Sequence, residues 1–116
     1  MRPSCDGDQY VFVTLTGPAG ALDAVATVVE PEGLSAVVRR EDADRRGYAY
    51  DFVAARIVLE DETSLGDVGI TAAIATELAR LGISCNVVAG VHHDHFFVPH
   101  DRAGEAVAAI AAIAAI

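Results

Sequence analysis

At 116 residues the chain has the length of one domain, a size at which roughly two-thirds of the unfolded surface can be buried. Its apolar fraction of 53% suffices for a core, and no low-complexity tract points to disorder. The net charge of −9, from 17 acidic residues against 8 basic ones that are all arginine, repels phosphate backbones and argues against nucleic acid as a partner.

Residues 1–9, MRPSCDGDQ, read as a flexible polar leader without the apolar core of a signal peptide. Tyr10 to Thr16 is rich in β-branched and aromatic residues and predicts a strand with Val11, Val13 and Leu15 on one face, broken by Gly17-Pro18-Ala19-Gly20. Val25 to Val29 and Leu34 to Val38 are two short strands joined by a hairpin turn at Glu30-Pro31-Glu32-Gly33. Arg39 to Arg46 predicts one or two turns of exposed helix, stopped by Gly47.

Val53 to Glu60 alternates, with Ala55, Ile57 and Leu59 facing one way and Arg56 and Glu60 the other, as in a strand with one wet side. From Gly69 to Leu81, the residues Ile70, Ile74, Leu78 and Leu81 recur at helical spacing, and Gly82 ends the run. Ile83 to Ala89 is a strand that places Ile83, Cys85 and Val87 on one side, so Cys85 is expected to be buried. A tight turn at Gly90 leads into a strand from His93 to Val98, which Pro99 ends. Asp101 is a plausible N-cap for a last helix, Ala103 to Ile116, carrying Val107, Ile110 and Ile113 inward.

From residue 53 onward the order is strand, helix, strand, strand, helix. Two helices cover one face of such a sheet, so the pattern fits an α+β ferredoxin-like layer that a strand from the N-terminal half could complete. The first half repeats the plan in degenerate form, with its helix reduced to the charged patch. The division expected is therefore leader 1–9, degenerate half 10–52 and complete domain 53–116. Cys5 and Cys85 read as free thiols of a reducing cytosol, since pairing them would tie a loose end to the core. The alanine-rich tail is too short to span a bilayer, and no basic amphipathic stretch offers a membrane anchor.

The run from Ser64 to Ala73 (SLGDVGITAA), then LGISCNVVAG from Leu81 to Gly90, then HDHFFVP from His93 to Pro99, resembles the small stand-alone ACT-domain proteins, related to the regulatory domains of aspartate kinase. EPEGLSAVV, Glu30 to Val38, resembles the N-terminal signature of that family more weakly. Two positions depart from the pattern: Val28 stands where the family favours an aromatic residue, and Val91 where a tyrosine precedes the histidines. The resemblance implies an ACT fold, edge-to-edge pairing of ACT units, a homodimer, and a small ligand, commonly an amino acid, held where units meet. It implies no catalytic activity and no cofactor.

The loop ahead of the main helix is the candidate ligand site: Ser64, Leu65, Val68, Gly69, Ile70 and Thr71. A helix start offers unpaired N–H groups and the positive end of the dipole to an amino-acid carboxylate, and glycines let a ligand approach the backbone. The structural alternative is a capping box, Ser64 with Asp67 three residues on. Asn86, with its neighbour Val87, is the second candidate contact, because an amide can read either end of an amino acid; a bond to neighbouring backbone is the alternative. His92, His93, Asp94 and His95 invite a metal reading, but alternation puts only His93 and His95 on one face and no second cluster supplies further ligands. Polar residues at a turn, with one histidine bonded to Asp94, explain them as well. The sequence thus points to a regulatory module that binds a small molecule. A protein-interaction module without a ligand and a histidine- or metal-dependent enzyme are the alternatives.

Overall fold

The computed structural model of the chain describes residues 1–16 and 23–114, so the expected break at Gly17 to Gly20 lies outside the described residues, while the last helix ends at Ala111, short of the expected Ile116. The strands are β1 (Pro3–Cys5), β2 (Tyr10–Leu15), β3 (Ala26–Glu30), β4 (Gly33–Arg39), β5 (Val53–Leu59), β6 (Asn86–Ala89) and β7 (Asp94–Pro99). The helices are α1 (Arg40–Arg46), α2 (Ile70–Arg80) and α3 (Ala103–Ala111). They fall into two compact units, Asp8–Ala54 and Met1–Gly7 with Ala55–Ile116, and the chain passes from the first to the second inside β5.

In the first unit β2 lies antiparallel to β4, from Tyr10↔Arg39 to Leu15↔Leu34, and β4 to β3, from Ala26↔Val37 to Glu30↔Gly33. Pro31 and Glu32 alone make the hairpin turn. The far edge of β2 pairs with the start of β5, Val11↔Val53 and Tyr10↔Ala54. Val11, Val13, Leu15, Ala36, Val38 and Ala43 form the core, covered by α1, whose Gly47 closes the helix in the left-handed region. Alternation along β2 and β4 is what delivers those side chains to one face.

In the second unit the strand order is β1-β5-β7-β6. Ala55, Ile57 and Leu59 from β5, Phe96 and Val98 from β7, Ile74 and Leu78 from α2, and Ala106 and Ile110 from α3 make a fully buried core. The helical stripe holds: Ile70 and Leu81 flank Ile74 and Leu78 against the same cluster. Ala106 joins Ile110 at the centre of α3, while Val107 and Ile113 pack at its margin.

Several expectations need correction. The leader contains a strand: β1 pairs antiparallel with β5, Pro3↔Leu59 through Cys5↔Ile57. It is fastened by Glu60 N–H to the Arg2 carbonyl at 2.8 Å, Arg2 N–H to Asp61 Oδ2 at 2.7 Å and Ser4 Oγ to Glu60 Oε1 at 2.5 Å. Proline is tolerated as the first residue of a strand, where its missing N–H costs no ladder bond. The strand before Gly90 starts at Asn86, because Ile83 is drawn into a turn by its N–H to the Leu78 carbonyl at 2.9 Å. Cys85 is consequently half-buried ahead of the strand instead of buried within it. Asp101 lies in a 3-10 turn, His100–Arg102, and Arg102 is the N-cap of α3. Cys5 and Cys85 are both free. Among the described residues no helix is long and apolar enough to cross a membrane.

Candidate functional site

The candidate site grows from the end of β5. After Leu59 the chain runs through Glu60, Asp61 and Glu62 to Thr63, a largely buried residue whose N–H donates to the His92 carbonyl at 3.2 Å. That bond ties the loop to the turn between β6 and β7. Ser64 and Asp67 then close on each other: Ser64 N–H and Oγ–H donate to the Asp67 carboxylate at 2.8 and 3.0 Å, and Asp67 N–H returns to the Ser64 carbonyl at 3.1 Å. The Ser64–Asp67 contact expected of a capping box therefore exists, but it is not the cap. The N-cap of α2 is Gly69, at φ +95°, a conformation that a residue with a Cβ adopts only under strain. Glycine has no side chain to cap with, so the N–H groups opening α2 receive no bond from it.

Beside that helix start lies a pocket of about 200 Å³. Met1, Leu59, Val68 and Ile70 give it apolar walls, and Thr63 with the carboxylates of Asp61, Glu62 and Asp67 gives it a polar rim. Two of the carboxylates are held below the usual range, Asp61 by the Arg2 N–H and Asp67 by the Ser64 N–H, so both stay charged to lower pH than an isolated side chain. Negative carboxylates and the positive end of a helix therefore border one small space.

Of the sequence-derived candidates, Val68 and Ile70 line the pocket, Ser64 shapes its rim through Asp67, and Gly69 forms the helix start. Thr71 is exposed on the first turn, and Leu65 projects at 70% exposure. Asn86 and Val87 are both exposed and open β6, six residues along the chain from the end of α2. Met1 and Asp61 are pocket residues that the sequence reading missed. The acidic run Glu60-Asp61-Glu62 directly after a strand was the available signal, and it reads equally as a solvated surface.

The histidines do not bond to Asp94 as expected. His93 Nδ1 lies 2.9 Å from the Leu59 carbonyl, and His95 Nδ1 accepts from Arg56 Nε and Nη2 at 3.3 and 3.2 Å. Among the described residues no group of three His, Cys, Asp or Glu side chains is placed to hold a metal ion. Burial pushes the Cys85 thiol up, away from the thiolate that a nucleophile needs.

Two antiparallel α+β units, one a sheet with a single described helix and the other a sheet with two, define the ferredoxin-like class. A model of the ACT domain matches residues 1–55, the half whose sequence resemblance is the weaker. VC0802 from Vibrio cholerae, a protein of unknown function described as a possible transport protein, is 41% identical, with 94% of this chain and 86% of that one covered at a TM-score of 0.88. The chain belongs to the ACT-domain proteins. At the level of fold alone, it is similar to the ligand-free regulatory subunit of aspartate kinase from Thermus thermophilus, 9% identical with 98% and 97% covered at a TM-score of 0.72. It is likewise similar to Atu0741 from Agrobacterium tumefaciens, 19% identical with 90% and 81% covered at 0.68. No curated protein matches the chain.

Proposed function

We propose that this is a regulatory ACT-domain protein of the cytoplasm that binds a free amino acid at the start of α2 and acts by binding, without turnover. The supporting observation is the pairing of a helix start lacking a side-chain cap with three carboxylates around one pocket of about 200 Å³. The carboxylate of a zwitterion suits the N–H groups of Val68, Gly69 and Ile70, and its ammonium suits Asp61, Glu62 and Asp67. A second copy of the chain supplies Asn86 and Val87 from its β6 edge, making the active form a homodimer with the ligand between copies.

Thermal shift against each of the twenty amino acids tests the reading. A ligand at a hundred times its Kd adds about 2.7 kcal/mol to the folded state, well within detection. At least one amino acid is expected to stabilise the protein in a concentration-dependent way, and Gly69→Ala, which disturbs the helix start, is expected to weaken that effect. Stabilisation by none of them at millimolar levels overturns the proposal.

One observation favours a second reading, a protein-interaction module. Val68 is 90% exposed, Leu65 70% and Val91 69%, an apolar set of loop residues that a protein surface would cover. A stoichiometric second protein in purified samples, together with no response to amino acids, selects it.

A further inference from the structure

His95 lies on the face of the second unit's sheet turned away from α2 and α3, since Phe96 and Val98, one and three residues further along β7, enter the helix-covered core. Its Nδ1 accepts two N–H groups from Arg56 on β5, at 3.3 and 3.2 Å, which places the ring proton of the neutral form on Nε2. The Nε2 edge packs against Gly90: a Cβ on Gly90 would stand 3.3 Å from His95 Nε2 and 2.8 Å from the His93 carbonyl oxygen. Gly90 N–H donates to that same carbonyl at 2.9 Å, closing the turn between β6 and β7. The turn presents the His92 carbonyl to the Thr63 N–H, and Thr63 borders the pocket. A continuous set of contacts thus runs from Arg56 through the His95 ring and Gly90 to the loop ahead of α2.

We infer that His95 is a pH-sensitive latch, which in its neutral form braces the Gly90–His93 turn and so fastens the Thr63 loop, and which protonation releases. Taking up a proton at Nδ1 turns the acceptor into a donor facing two guanidinium N–H groups at little more than 3 Å, so the ring must leave Arg56 and with it the surface of Gly90. The charged and titratable groups around the ring are Arg56 from β5, His93 from the turn and Asp94 from β7, while its partner on β6 is Val88. Burial, then Arg56, then His93 lower its proton affinity, and Asp94 opposes them. The latch stands whether or not the loop holds an amino acid, because every contact in it is made by the chain alone.

Hydrogen exchange of the Thr63 amide, corrected for intrinsic rate, tests it on ligand-free protein. Between about pH 7.5 and about pH 5, protection in the wild type is expected to fall by about tenfold more than in His95→Gln, whose amide oxygen accepts from Arg56 but does not titrate. Parallel curves overturn the latch. An NMR titration of the imidazole needs no stable variant at His95: the ring is expected to titrate below an ordinary histidine and to move upward in Arg56→Gln. An ordinary or raised value in the wild type, or no movement in Arg56→Gln, also overturns it.

Discussion

The two units share a plan and differ in how they are covered. In the second, α2 and α3 close over a core of ten buried residues drawn from two of its strands, both helices and the turn after α2. In the first, the described core has six, and a seven-residue helix is its described cover, with Ala43 as the one buried residue of that helix. Helix length decides the difference: α2 reaches across the sheet with two full turns of apolar stripe, whereas REDADRR offers one small side chain among charges. A shared strand pattern therefore does not ensure an equal core, and the smaller unit takes part of its sheet edge from Val53 and Ala54.

The largest effect expected follows from that asymmetry. Leu78→Ala opens a cavity under α2 and is expected to cost about 2–5 kcal/mol in chemical denaturation. Leu15→Ala, at a strand end with a few per cent exposure, is expected near the lower limit, about 2 kcal/mol. Equal losses at the two sites would show that the smaller unit is packed as tightly as the larger one, against the comparison drawn here.

Charge separates the units next. Asp61 receives the Arg2 N–H and is held below the ordinary carboxylate range, so its contribution to stability is present above that range and is lost as pH falls from there through the lowered folded-state value. Asp61→Asn is expected to lower the Tm at neutral pH and to shrink the drop in Tm between neutral and acid solution, with faster exchange of the Arg2 amide. An unchanged acid drop would mean that something other than this carboxylate fastens β1 to the second unit.

Legibility in the sequence also divides along chemical lines. The stripe Ile70, Ile74, Leu78 and Leu81, the alternation of β5, the β3–β4 hairpin and the glycine stop after Arg46 are local patterns, and each matches the element formed. β1 was invisible because three residues carry no period and their partner, residues 57–59, lies more than fifty positions away. The same long-range pairing brings Met1 to the pocket and the Arg2 N–H to Asp61, so that wall of the site could not be read from the loop. The glycine at the helix start was legible, since a backbone at positive φ demands it. The Ser64–Asp67 spacing misled, because a turn and a capping box share one sequence signature.

The smallest effect on stability tests which unit meets a second copy. Each ends in an exposed edge strand: β3, where Val29 is 87% exposed, and β6, where Val87 is 36% exposed. A lysine on an edge strand opposes pairing with another chain while leaving the fold nearly untouched, within about 0.5 kcal/mol for either substitution. If Asn86 and Val87 complete the ligand site of a partner, Val87→Lys is expected to shift the protein to monomer in sedimentation and to abolish stabilisation by an amino acid, while Val29→Lys does neither. The reverse outcome would move the interface to the smaller unit. The loop ahead of α2 would then have to hold its ligand with the residues of one chain, and the exposed Val87 of β6 would need another explanation.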